Sequence, residues 1–126
     1  MSISPWGFLL LVAAMVVESL AQLLLKIGAS GGCAALQPKL REAAVRCFGM
    51  TRTWPWISLG VGAYGLEILL YTLALQRLDL SVAFPIGSLC FVGVALLSKL
   101  VLGEAVGFRR WLGVGIILIG VSLLAT

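Results

Sequence analysis

Two carboxylates lie where a carboxylate is hard to keep. Glu18 stands midway along 5–27, a largely apolar run long enough to cross a bilayer, and Glu67 takes the same depth in 54–76. An ionisable side chain at hydrocarbon depth is expensive and by default marks a path for ions, protons or substrate. The whole chain has five acidic residues. Two of them placed this way point to transport rather than anchoring.

The neighbours of these carboxylates fall into helical register. Glu18, Gln22 and Lys26 recur at every fourth position, which makes one slowly rotating polar stripe. Glu18 and Lys26 lie roughly 12 Å apart along a straight helix, so any direct partner of Glu18 comes from another helix, water or ligand. Tyr64, Glu67 and Tyr71 share a face of the second run. Tyrosines there can donate hydrogen bonds and stack on an amine-bearing or sugar-like ligand. In the third run Ser81, Pro85, Ser88 and Lys99 fall on one side, and Pro85 removes one backbone bond and is expected to kink the helix as a hinge.

Each of these residues has a plainer reading. Glu18 and Glu67 could sit in buried ion pairs or hydrogen-bond to a backbone carbonyl. Lys26 and Lys99 could simply reach toward headgroups. The functional reading is that at least one carboxylate exchanges a proton for a cationic group. In the same reading Lys26 and Lys99, with Arg109 or Arg110, hold a phosphate at the inner mouth.

Composition sets the solvent. Of 126 residues, 61% are hydrophobic and 11% charged, with no histidine. A soluble domain is about 45–50% apolar and about 25% charged, and a chain this short cannot hide such an excess in its own interior. The length allows one domain, 1–126. Cys33, Cys47 and Cys90 form no CxxC pair and have no histidine to join them, so neither a zinc site nor a disulfide framework is expected. Cys90 reads as a small buried apolar residue. No cofactor loop or nucleophile–base set is present, so no catalytic residue, metal or cofactor is assigned and an enzyme is not expected.

A hydrocarbon core about 30 Å thick takes roughly 20 apolar residues in helix. Segments 5–27, 54–76, 80–101 and 107–125 meet that length. The expected fold is therefore an all-α integral membrane protein with four transmembrane helices. Segment 5–27 lacks a basic leader and carries Glu18, so it reads as a span rather than a cleaved signal. The fourth segment has no ionisable residue from Trp111 to Leu124 but contains Gly113, Gly115 and Gly120. Small residues permit close helix contact in lipid, and these serve either packing within the chain or assembly. Between the first two spans, 37–48 is amphipathic, with Leu36, Leu40, Ala43, Ala44, Cys47 and Phe48 opposite Lys39, Glu42 and Arg46. It is expected to lie in the headgroup layer, or to act as a lid over a substrate entrance.

The net charge of +4 follows the span ends instead of forming a soluble basic face, which favours lipid and gives no reason to expect nucleic acid. Lys26, Lys39, Arg41, Arg46, Arg52, Lys99, Arg109 and Arg110 flank two of the loops, whereas the other ends and loop hold only Arg77. Eight against one predicts both termini outside the cytoplasm.

Three pieces of sequence carry a family likeness. They are the stripe from Glu18 through Ser19, Leu20, Ala21 and Gln22 to Lys26, the segment Leu80, Ser81, Val82, Ala83, Phe84, Pro85, and Gly103 with Glu104 followed by Arg110, Trp111, Leu112, Gly113 and then Gly120 with Val121. Together they resemble the drug/metabolite transporter superfamily in its four-span form. That form includes small multidrug resistance proteins, small EamA-like proteins and aminoarabinose–undecaprenyl-phosphate flippase subunits. The resemblance implies that Glu18 is a membrane-embedded carboxylate binding protons and cations competitively. It also implies that Gly113 and Gly120 pack two proteins together, in a dimer with alternating access. Gly87 stands where multidrug exporters typically carry tryptophan, and the 28–53 loop is longer than theirs. The flippase subunits typically lack the Glu18 carboxylate.

The leading functional expectation is an EamA-like secondary transporter in a bacterial cytoplasmic (inner) membrane. Its substrate would be amphipathic, such as a polyprenyl-phosphate-linked sugar or amino sugar, and its partner membrane lipid and a dimer mate or oppositely oriented subunit. The second expectation is a proton-coupled exporter of small organic cations. The third is a non-transporting accessory subunit of a membrane glycosylation system.

Overall fold

The computed structural model describes residues 4–32, 36–48 and 52–125, and these form helices, turns and loops with no strand among them. Cys33 and the side chains of Cys47 and Phe48 lie outside what is described. The helices are α1 (Pro5–Ala29), α2 (Pro38–Phe48), α3 (Thr53–Leu75), α4 (Leu80–Gly87), α5 (Cys90–Leu102) and α6 (Phe108–Ala125). Three stretches are long and apolar enough to cross a membrane: Pro5–Ala29, Thr53–Leu75, and Leu80–Leu102 taken as one broken span. Their outer faces carry exposed apolar side chains such as Leu69, Phe84 and Leu100, as expected where lipid replaces water.

Local chemistry sets the helix ends. Pro5 opens α1, where a missing N–H costs nothing. After Ala29 the chain turns through Gly31 and Gly32, both at positive φ, a conformation glycine takes without a Cβ clash. The helix expected over 80–101 is divided at Ser88–Leu89, not at Pro85 itself. Pro85 offers no N–H to Ser81, and Ser88 Oγ donates to the Pro85 carbonyl at 2.6 Å. Leu89, Phe91 and Val92 then bond three residues back instead of four, a tightened turn that re-aims α5 relative to α4.

α1 is the central element, packed chiefly on α3 and next on α5. Its contact with α3 is close because a Cβ at Gly60 would lie 2.8 Å from Leu25 Cγ, and one at Gly28 would lie 2.6 Å from Ile57 Cγ1. Against α5, Ser19 Oγ donates to Met15 O at 2.9 Å and reaches Cys90 O at 3.5 Å. Two apolar clusters clamp the ends of this arrangement. Leu11, Ala74, Leu78 and Ala83 form one, and Leu23, Ile27, Leu36 and Trp56 form the other. Along α1, Glu18 lies between them.

Candidate functional site

Between the two clusters the bundle opens into a cleft of about 280 Å³ lined by Glu18, Glu67, Tyr71, Phe84, Gly87, Ser88, Cys90 and Phe91. α1 contributes the first carboxylate, α3 the second with Tyr71, and the broken α4–α5 turn supplies Ser88 and Cys90. Gln22 Nε2 approaches Glu18 Oε1 at 3.4 Å, and the Tyr64 hydroxyl lies beside Gln22. Glu18, Glu67, Gln22, Tyr64, Tyr71 and Ser88 are thus gathered around one place. Among the described residues no lysine or arginine lines this cleft.

A second cleft, of about 380 Å³, runs between α1, α5 and α6. Gln22, Lys26, Ser98 and Arg110 are its polar lining, and Val94, Val114 and Ile117 are among its apolar walls. Phe91 lines both clefts, and Glu18 of the first stands one turn along α1 from Gln22 of the second, so the two adjoin there. Lys26 Nζ donates to Glu104 Oε2 at 2.5 Å. That hydrogen bond, helped by the charges of Lys26 and Arg110 and outweighing slight desolvation, holds the Glu104 carboxyl below the ordinary carboxylate range.

Not every expected pairing is made. Lys99 is exposed on α5 and lies outside the lining of the second cleft, so Lys26 is grouped with Arg110 and not with Lys99. Arg109 is exposed beside Arg110 but is absent from that lining. Pro85 is half-buried just before the broken turn. Gly113 lines the second cleft, while around both Gly113 and Gly120, among the described residues and apart from the backbone of α6 itself, no atom comes within 4 Å of where a Cβ would stand.

Two residues at these clefts escaped the sequence reading of their roles. Cys90 is buried, as expected, and its thiol also meets the Glu18 carboxylate. Only the fold shows that contact, because the two lie 72 positions apart. Glu104 is the partner of Lys26, and the available signal was a lone carboxylate in a loop just ahead of two arginines.

The sequence profile of the EamA-like transporter family matches residues 6–126. A relative from Pseudomonas fluorescens (strain Pf0-1) is 42% identical over 76 residues, covering 59% of this chain and 67% of its own length. It is named a probable 4-amino-4-deoxy-L-arabinose-phosphoundecaprenol flippase subunit, ArnE. A relative of the same name from Yersinia pestis (strain Pestoides F) is 42% identical over 73 residues, covering 58% of this chain and 64% of its own length. The chain therefore matches about two thirds of the length of these relatives. No solved structure matches it. With a family profile that runs through every helix and three apolar helices of membrane-crossing length, this chain belongs to the EamA-like transporter family and is a multi-pass membrane protein.

Proposed function

We propose that the chain is one subunit of an inner-membrane transporter that carries a polyprenyl-phosphate-linked amino sugar. The observation that carries this reading is the adjacency of the two clefts. A pair of carboxylates with Tyr71 suits an amine and sugar hydroxyls. Next to it, Lys26 and Arg110 suit a phosphate, with apolar walls for the lipid. The names of the two relatives support both the lipid-linked substrate and a partner subunit.

In this reading α6 is a fourth crossing, so 1–126 forms a single four-span domain with both termini outside. α2 lies in the headgroup layer above the inner cleft mouth. Glu18 and Glu67 trade protons for the substrate amine, and Pro85 lets α4 move against α5. Gly113 and Gly120 face the partner. Lys99 and Arg109 serve the headgroups around the mouth.

The test uses the full chain, with its partner subunit if one co-purifies, in liposomes loaded with a polyprenyl-phosphate-linked amino sugar. Glu18→Gln is expected to reduce translocation to the level of protein-free vesicles while insertion remains normal. Lys26→Gln with Arg110→Gln is expected to do the same. Undiminished translocation in either variant overturns the assignment.

A second reading, a proton-coupled exporter of organic cations, is favoured by one feature: among the described residues, no cationic side chain lines the carboxylate cleft. It predicts that loss of Lys26 and Arg110 leaves cation export intact while Glu18→Gln abolishes it.

A further inference from the structure

The Lys26–Glu104 pair joins residues 78 positions apart, tying the last turn of α1 to the loop between α5 and α6. It does so at the cleft that Lys26 and Arg110 both line. Arg110 also acts electrostatically on Glu104, so both cations of the cleft favour its charged form. Neither partner is sealed in: the side chains of Lys26 and Glu104 are 35% and 43% exposed. Opening such a pair strands no buried charge, and the attraction lost is small and screened.

The backbone supports a pivot at this point. Gly103 has φ +66, and Gln37 packs where its Cβ would be, 2.8 Å from Gln37 Nε2. Gln37 N bonds Val101 O at 3.3 Å. The end of α5 is therefore pinned to the segment entering α2, while the very next residue, Glu104, reaches back to α1.

We propose that Glu104 is a built-in counter-ion that occupies the anion place between Lys26 and Arg110 and surrenders it to the phosphate of an incoming ligand. This rests on the reading above that these two cations receive phosphate. A phosphate carries more charge and more acceptor oxygens than a carboxylate, and it engages arginine bidentately, so it displaces Glu104 when it arrives. In its absence the carboxylate offsets one of the two positive charges and bridges the mouth, and small anions meet a competitor already seated.

The experiment titrates the full chain in detergent micelles with methyl phosphate and, separately, with farnesyl phosphate, followed by phosphorus NMR and calorimetry. Glu104→Gln keeps the shape and removes the charge. It is expected to tighten phosphate binding roughly three- to fivefold, the scale of losing one exposed ion-pair competitor. The gain should vanish in the Lys26→Gln/Glu104→Gln double variant. Glu104→Asp, with shorter reach, should fall between wild type and Glu104→Gln, and it carries the test should the glutamine variant fold poorly. A gain with both probes identifies phosphate itself as the ligand group, whereas a gain with farnesyl phosphate alone identifies a lipid headgroup. If wild type binds phosphate and removing the Glu104 charge leaves binding equal or weaker, the counter-ion role falls while the phosphate reading stands. If neither protein binds either probe, both fall.

Discussion

Gly60 and Leu25 set the distance between the two helices that carry the carboxylates. A Cβ at Gly60 would lie 2.8 Å from Leu25 Cγ and 3.2 Å from the Leu25 backbone nitrogen. A side chain at Leu25 can rotate away, but the backbone cannot. Gly60→Val is therefore expected to force α1 and α3 apart and to destabilise the protein by about 1–3 kcal/mol, the usual cost of overpacking. Gly62, two residues on, meets nothing within 4 Å, so Gly62→Ala should lose no stability. Thermal unfolding in micelles separates the two, and equal melting would show that this contact does not set the spacing. At this scale the sequence was informative where depth and period sufficed. Glu18, Glu67 and Tyr71 were visible because they interrupt apolar runs at helical intervals, and the cleft contains all three. Cys90 beside Glu18 and Glu104 beside Lys26 were not visible, since each contact depends on how distant helices face one another.

The division of the third apolar stretch into α4 and α5 shapes the carboxylate cleft, and its cause is shared between two residues. Pro85 withholds a backbone donor, while Ser88 occupies the Pro85 carbonyl with its side chain. Restoring the donor with Pro85→Ala gives Ser81 its partner back. In an ordinary helix interior such a change is worth up to about 3 kcal/mol. Here the gain should be smaller, because the turn at Ser88–Leu89 keeps its three-residue bonding. The expected outcome is slower amide exchange over 85–92, a modestly higher melting temperature and slower translocation. Faster or unchanged exchange there would mean that Pro85 does not govern the break. The outer ends of the long helices fall within two residues of the hydrophobic runs, because apolar length and the flanking polar turns define them. The site of the break did not follow from Pro85 alone, because the tightened turn arises downstream, where Ser88 competes for a carbonyl.

For the molecule as a whole, composition announced a membrane protein, yet the pairing of its helices was hidden. In lipid, outward and inward faces draw on the same apolar residues, so the polar stripe of α1 marks an inward face without telling that α3 and α5 are its neighbours. α6 shows how this shapes assembly. Its principal contacts are with α4 and α5, and a Cβ at Gly113 or Gly120 would have open space around it. A Cβ at either position meets nothing within 4 Å among the described residues, and at Gly113 the longer leucine side chain has the second cleft to extend into, so the melting of an isolated protomer should stay within about 0.5 kcal/mol of wild type. A second helix seated on those glycines would instead be pushed away, because close backbone approach is what small residues permit. Gly113→Leu with Gly120→Leu is therefore expected to abolish association in cross-linking and native gels while leaving the protomer folded. The eight-to-one bias of basic residues predicts a single orientation for this chain, and under that prediction an inverted mate is a different subunit with the opposite bias. Cross-linking from cysteines placed at opposite ends of α6 distinguishes a parallel copy from an inverted subunit. Association that survives both leucines would move the interface elsewhere and leave these glycines facing lipid.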